Sequence, residues 1–270
     1  MTSNHPTYRP CPACDDGGDA ITDLAQFARD AWRVGLCRAC SFVFLRNPVE
    51  YEALEEDFAW EATYKAEDTK RQKNRGLLKR LAYEARMAGY RLKGDPQAFY
   101  VRHLGPGKIL DIGCGDVVRW RAPFVPFGIE ISKHLSARAN EKMRPLGGEC
   151  YQGAGAEVIF DLPEQTFDSV MMHSYLEHEV RFRDLLCGTF RVLRPGGRAF
   201  VRVPNFSSIN RRMSGAKWPG FRYPDHVNYF TPLTLRRAAE EVGFSFRLVN
   251  RHKIWVDDNI QAVLEKPAAN

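Results

Sequence analysis

Three groups of residues in this 270-residue chain have types and spacings that could do chemistry. The first is Cys11-Pro12-Ala13-Cys14 and Cys37-Arg38-Ala39-Cys40, separated by 22 residues. Each Cys-x-x-Cys turn can place two thiolates on one cation, and two such turns complete a tetrahedral site. Cys11, Cys14, Cys37 and Cys40 are therefore expected to hold one structural zinc ion. The alternatives are four unrelated buried thiols, against which the pairing speaks, or a redox pair, which would need a motif that opens a helix. The second group is Ile109-Leu110-Asp111-Ile112-Gly113-Cys114-Gly115, an apolar run ending in glycines. A second apolar run follows (Phe127, Ile129, Ile131), with Glu130 near its end. Glycines after one strand let backbone N–H groups approach a ligand, and an acid ending the next strand can accept hydrogen bonds from both hydroxyls of a ribose. That is the nucleotide-site logic of a doubly wound parallel sheet. The third group is three histidines: His173, His178 beside Glu177, and His226. Each is a candidate general base, and each has the alternative of a packed or helix-capping role.

Asp111 through Gly115, with Glu130, resemble the glycine and acidic motifs of class I S-adenosylmethionine (SAM) methyltransferases. Phe167-Asp168-Ser169-Val170, His173-Ser174-Tyr175-Leu176-Glu177-His178, Arg191-Val192-Leu193-Arg194-Pro195-Gly196-Gly197 and Val203-Pro204-Asn205 then follow in that family's order. Asp-x-Gly-x-Gly alone is shared with dinucleotide enzymes, and the later motifs set this chain apart from them. The resemblance spans residues 100–266. It implies an α/β fold with a Rossmann-like sheet and SAM as cofactor. Carried over position by position, it implies cofactor contacts from Asp111, Gly113, Gly115, Glu130, Ile131, Ala156, Glu157 and His173. Two departures stand out: Val117 occupies the place of a third glycine, and Pro123 and Pro126 lie between the turn and Glu130. Proline inside a helix costs about 3 kcal/mol, so the first helix after the turn is expected to be a stub. In ubiquinone-pathway O-methyltransferases a stretch similar to 174–178, Glu-x-x-Glu-His, holds a metal. Ser174 stands at its first position here, so the resemblance does not extend to a complete site of that kind. The cysteine ribbon, with Phe42–Pro48 after it, resembles the one preceding some sugar C-methyltransferases. Those enzymes run on into a further domain, so their activity is not carried over with the ribbon.

The elements that must position these residues can be read in outline. Residues 1–48 are expected to be a zinc-ribbon module with strands at Ala31–Leu36 and Ser41–Leu45. Residues 49–100 are expected to be a helical connector in which Phe58, Trp60 and Tyr64 either cover the cofactor or serve as core. The methyltransferase core is placed at 101–270. Within it the pattern predicts a strand at Asp168–His173, a helix at Arg181–Leu193 stopped by Pro195-Gly196-Gly197, and a strand at Arg198–Val203. Pro204–Phe230 is a long segment rich in arginine and aromatics leaving the carboxyl edge of a central strand. It reads as an acceptor-binding wall of Arg211, Trp218, Arg222, Tyr223 and Tyr229, with His226 among them. Thr231-Pro232 should cap a helix ending at Gly243, before a closing hairpin of Phe244–His252 with Asn259–Lys266. Cys114, Cys150 and Cys187 read as isolated small core residues.

Hydrophobic content of 44% with 27% charged residues is that of a soluble globular protein. No run approaches the roughly 20 apolar residues of a membrane span. Met-Thr-Ser-Asn-His-Pro carries no apolar signal core, so a cytoplasmic location with reduced thiols is expected. Methyl transfer needs a positioned acceptor and, for a hydroxyl, removal of its proton. The expected activity is O-methylation of a small molecule, sugar or glycan. One rival is an RNA methyltransferase, since some ribosomal-RNA guanine methyltransferases also set a four-ligand zinc module before a SAM domain. Another is a SAM-binding protein without catalysis. The net charge of +6 permits an anionic partner. Yet the basic residues at 70–93 are interleaved with Glu67, Asp68 and Glu84, and the ribbon carries Asp15, Asp16, Asp19 and Asp23. No phosphate-tracking face results, and nucleic acid is not favoured. The sequence sets neither the methylated atom nor the oligomeric state.

Overall fold

The computed structural model describes residues 8–49 and 95–269. The expectations for Phe58, Trp60, Tyr64 and the connector helices up to residue 94 lie outside them. The chain divides into two units, one of Met1–Pro48 with His103–Asn270 and one of Val49–Arg102. Helix α1 spans Pro96–Leu104.

The apolar runs form a seven-stranded sheet. Its strands are β4 (Gly107–Ile112), β5 (Phe124–Glu130), β6 (Cys150–Gln152), β7 (Phe167–His173), β8 (Leu193–Pro204), β10 (Ser245–Leu248) and β11 (Asn259–Glu265). Their order is β10-β11-β8-β7-β4-β5-β6, with β11 antiparallel to both neighbours and the other pairings parallel. Ile109, Leu110 and Ile112 are buried, as a central parallel strand covered on both faces requires. From β4 the chain builds outward to β5 and β6 on one side and to β7 and β8 on the other. The carboxyl ends of β4 and β7 therefore flank the switch point where such sheets bind ligands. Helices α2 (Lys133–Met143), α3 (Gly155–Asp161), α4 (Phe182–Val192) and α6 (Pro232–Val242) pack on this frame, and the short α5 (Ile209–Ser214) precedes α6 in the chain. Thr231 caps α6 through a reciprocal pair with Thr234, Pro232 opens it, and Gly243 ends it in the left-handed region, as the sequence predicts. The closing hairpin of β10 and β11 also forms where expected.

Several elements differ from expectation. No helix forms between Gly115 and Phe124, not even a stub, and the chain turns straight into β5 with Pro126 inside the strand. β6 pairs with β5 only from Gly128 onward, so the earlier part of β5 behaves as an edge, where proline fits. Pro195-Gly196-Gly197 lies within β8 rather than before it. The ladder to β7 shifts register between Phe167 and Ser169, which face Leu193 and Arg198, and Gly196 takes φ +76° at the irregularity.

The ribbon's strands are β1 (Ile21–Asp23), β2 (Val34–Cys37) and β3 (Val43–Leu45), and a fourth, β9 (Asn228–Tyr229), comes from the 204–230 segment. Val43 pairs with Tyr229 and Phe44 with Asn228. Arg9 reinforces the seam, donating to the carbonyls of Leu45 at 2.9 Å and Val227 at 2.7 Å and to Asn228 Oδ1 at 3.2 Å. The sheet buries Phe27, Val34 and Val43 against Phe206, Trp218, Phe221 and Tyr229 in one aromatic cluster. Cys114 and Cys150 are neighbours in the core, their Sγ atoms 3.6 Å apart, and Cys187 is exposed; neither finding matches three isolated core thiols. No helix among the described residues is long and apolar enough to cross a membrane.

Candidate functional site

The turn after β4 is held by charge on both sides. Asp111 is buried; Trp120 Nε1 donates to its Oδ2 at 2.9 Å, and Arg119 Nε lies 3.7 Å away. Burial pushes the Asp111 carboxyl up, while Arg119 and the Trp120 bond pull it back. Gly113 and Gly115 have φ of +70° and +61°, a region glycine enters without strain. A Cβ at Gly115 would meet nothing within 4 Å, so open space lies beside the turn. At Gly113 it would lie 2.6 Å from Tyr175 Cδ2. Glu130, at the end of β5, accepts from Gly115 N at 2.9 Å and Ser132 N at 3.0 Å, one bond to each oxygen. It thereby ties the glycine turn to the neighbouring strand, and each oxygen keeps lone-pair capacity for a diol.

The other expected cofactor residues ring this turn. Ile131 follows β5, its carbonyl accepting from Gln152 Nε2 at 3.0 Å. Ala156 is buried in the first turn of α3, whereas the Glu157 side chain is exposed and pairs with Arg181 at 3.2 Å. Tyr175 was not singled out from the sequence. Its ring packs on Gly113 and its hydroxyl accepts from Gly155 N at 3.2 Å, so it bridges the loops after β4 and β6. An aromatic two residues beyond the end of β7 was the available signal. Together these parts offer the groups a nucleoside would need: backbone and small side chains for a flat base, and a carboxylate for its ribose.

The histidines fall into two places. His173 ends β7, half-buried, and burial together with Arg202 and Arg119 pushes it down to about 4. Arg119 also pairs with Asp111, which sets His173 beside the glycine turn. His178 and His226 stack edge to face with centroids 4.7 Å apart. Burial and Arg222 push His178 down to about 4, and burial pushes the adjoining Glu177 up to about 8.

The segment read as an acceptor wall is more closed than its composition suggests. Trp218 and Tyr229 are only 2% and 1% exposed, inside the aromatic cluster, and the Tyr229 hydroxyl donates to the His226 carbonyl at 2.8 Å. Tyr223 donates to the Phe27 carbonyl at 2.7 Å. Arg211 stacks on Phe206, and Arg222 pairs with Asp225 at 3.2 Å. Arg211, Arg222 and Tyr223 stay half-buried. Composition marked these residues as a group, but their long-range partners in the ribbon were not visible.

The four ribbon thiols converge. Cys11 and Cys40 Sγ lie 3.5 Å apart, Cys14 and Cys37 Sγ 3.6 Å, and all four fall within 4.8 Å of one another. A zinc ion with Zn–S bonds of about 2.3 Å sets tetrahedral sulfurs roughly 3.8 Å apart, so the spacing fits such an ion. A separate cleft of about 290 Å³, lined by Leu104, Asp168 and Arg194, opens at the amino ends of β4, β7 and β8. That edge is opposite the glycine turn, and there Asp168 and Arg194 already pair at 2.8 Å.

The comparisons with known proteins agree with this fold. A family model described as a methyltransferase domain matches residues 76–249. Ubiquinone biosynthesis O-methyltransferase of Maricaulis maris is 27% identical over 184 residues, covering 60% of this chain and 72% of that protein. Its namesake in Aeromonas salmonicida is 30% identical over 157 residues, covering 52% of this chain and 63% of that protein. The solved structure of a SAM-dependent methyltransferase from Mesorhizobium loti shares the fold. Its TM-score is 0.50 at 17% identity, over 65% of this chain and 100% of that one. With the family model spanning well over half of its length, the chain belongs to the methyltransferase-domain family and is a SAM-dependent methyltransferase of the class I α/β fold.

Proposed function

We propose that this enzyme methylates a hydroxyl oxygen of a small-molecule, sugar or glycan acceptor, with His173 as the general base. The observation that carries the reading is positional. The glycine turn and Glu130 sit at the switch point of the sheet, and His173 ends the adjacent strand. Glu130 would take the ribose hydroxyls of SAM, and the backbone of Gly113–Gly115 with Ile131 and Ala156 would hold the rest of it. Asp111 holds the turn through Trp120 and Arg119, and Glu157 stays at the rim with Arg181. When bound, SAM supplies a methyl group on a positively charged sulfur that leaves readily as a thioether. Burial and two arginines keep His173 neutral, with a lone pair open to the acceptor's proton, but they also oppose the imidazolium, so its role as base rests on position rather than on basicity. The choice of oxygen draws support from the two relatives, whose names are those of O-methyltransferases.

The acceptor is proposed to meet the half-buried side chains of Arg211, Arg222 and Tyr223, with Trp218 and Tyr229 acting as buried support. The Cys11, Cys14, Cys37 and Cys40 thiols are proposed to hold a structural zinc ion in a ribbon of residues 1–48. The connector of 49–100 and the core of 101–270 complete the arrangement, in a protein of the cytoplasm. The test combines calorimetry with transfer of labelled methyl from SAM to panels of phenols, sugars and RNA. Glu130→Ala should lose SAM affinity, whereas His173→Gln should keep it and lose turnover on a hydroxyl acceptor. Label appearing in RNA, with tight salt-sensitive RNA binding, would sink the small-molecule reading. Unchanged SAM affinity in Glu130→Ala would sink the cofactor assignment.

A further inference from the structure

Arg202 stands beside His173 at the edge of the sheet where ligands bind. The two residues are register partners across β8 and β7, so their side chains leave the sheet on the same side. Arg202 is half-buried, and among the described residues its side chain makes one hydrogen bond, from Nη1 to Ser174 Oγ at 2.7 Å. A guanidinium carries five N–H donors in a planar fork, so most of this one is unspent. Ser174 is itself held in place. Its N–H donates to the Arg202 carbonyl at 2.8 Å, and its φ is +57°, a left-handed conformation strained for a residue with a Cβ. Strained residues of this kind cluster at ligand sites.

The charges around it do not cancel. Arg119, the other arginine near His173, has Asp111 at 3.7 Å, and Arg222 has Asp225 at 3.2 Å. Arg202 forms no ion pair among the described residues. Glu177 lies within its electrostatic reach, but burial pushes that carboxyl up to about 8, so it is mostly protonated at pH 7. A positive charge without a counter-ion thus borders the proposed base and opposes the imidazolium that the base must form. An oxyanion held at Arg202 would offset this charge and favour the imidazolium.

We propose that Arg202 takes an oxyanion of the methyl acceptor, a carboxylate or a phosphate, and so sets the acceptor's hydroxyl beside His173. The assignment of that anion to the acceptor rests on the function proposed above, whereas the subsite itself rests on the geometry of Arg202, His173 and Ser174. A planar fork grips either group at two points, which orients the acceptor as well as binding it. A neutral alcohol would leave the fork empty. The acceptor class is therefore a hydroxy acid or a phosphorylated hydroxyl compound.

The test is calorimetric titration of the full-length protein with benzoate and with inorganic phosphate, with and without S-adenosylhomocysteine, beside NMR of the histidine ring protons. The His173 signal is the one missing from His173→Gln. One saturable anion per wild-type chain is expected, and the His173 signal should move with the same midpoint. The tighter of the two probes tells carboxylate from phosphate. Affinity should fall about tenfold or more in Arg202→Gln and recover by about threefold or more in Arg202→Lys, which keeps the charge, while SAM affinity holds in both. An arginine that only ties β7 to β8 would not show that rescue. Should the variants misfold, the wild type alone decides through the His173 signal. No saturable binding, an unmoved His173 signal, binding that Arg202→Gln retains or a loss that Arg202→Lys does not recover overturns the subsite. Equal methyl transfer to neutral hydroxyl acceptors by wild type and Arg202→Gln also overturns it, and spares the transferase. Absence of SAM binding would instead strike the methyl-transfer reading, and the anion count would stand apart from it.

Discussion

Gly113→Ala tests the packing that shapes the cofactor turn. Gly113 has φ +70°, and the added Cβ would lie 2.6 Å from Tyr175 Cδ2 and 3.0 Å from Cε2. The left-handed conformation costs an alanine about 1–2 kcal/mol. Overpacking a well-filled site costs about 1–3 kcal/mol more. The ring has little freedom to retreat, because its hydroxyl accepts from Gly155 N at 3.2 Å and donates to Glu179 at 3.4 Å. The variant should therefore lose roughly 2–5 kcal/mol of stability without cofactor, read as a lowered urea midpoint at unchanged slope. Tyr175→Leu in the same chain removes the clash but not the backbone strain. A double-mutant cycle should thus show a coupling of about 1–3 kcal/mol, the overpacking part, with the backbone strain staying on alanine. A Gly113→Ala chain within 0.5 kcal/mol of wild type, or strict additivity with Tyr175→Leu, would refute the reasoning.

Arg9→Met removes the donors that serve Leu45, Val227 and Asn228 in a buried seam, and should cost about 2–4 kcal/mol in urea unfolding. His173 and His178 are both pushed down to about 4 in the fold, below their ordinary 6.5. The unfolded chain therefore takes up protons first, and stability falls as pH drops from 6.5 toward 4. His173→Gln should remove about 1 kcal/mol of the loss between pH 7 and pH 5, after allowance for its partial exposure, as measured by urea midpoints at the two values. Cys14→Ser should lose the thiol-bound zinc by elemental analysis. It should also lower amide protection at Tyr229, because that residue pairs with Val43 of β3.

The parts of the site written in short stretches were legible: the glycine turn, Glu130 one strand on, the Thr231 cap and the Cys-x-x-Cys pairs. Each is a local rule of backbone geometry or ligand spacing. What the sequence did not show depends on partners far along the chain. β9 is two residues long, and nothing in Asn228-Tyr229 announces an edge waiting for Val43 and Phe44. The aromatics of 204–230 looked like a wall because their count is visible while the ribbon residues that bury Trp218 and Tyr229 are about 180–200 positions away. Pro195-Gly196-Gly197 obeys a helix-stop rule, and α4 does stop before it, but the chain enters β8 at once through an irregular register. Pro126 is a helix breaker by local rule, and an edge-like stretch of β5 holds it instead. Cys114 and Cys150 are 36 residues apart in sequence and meet only because β5 and β6 pair in the register that sets Gly128 opposite Cys150.

SAM is expected to bind at the loops that follow β4, β5 and β7. The most direct measurement is calorimetric titration of the purified full-length chain with SAM, with S-adenosylhomocysteine and with NAD⁺. One SAM per chain is expected, displaced by S-adenosylhomocysteine and weakened about 100-fold or more when Glu130→Ala removes both ribose contacts, with no heat from NAD⁺. Binding of NAD⁺ in place of SAM, or SAM binding that ignores Glu130, would contradict it.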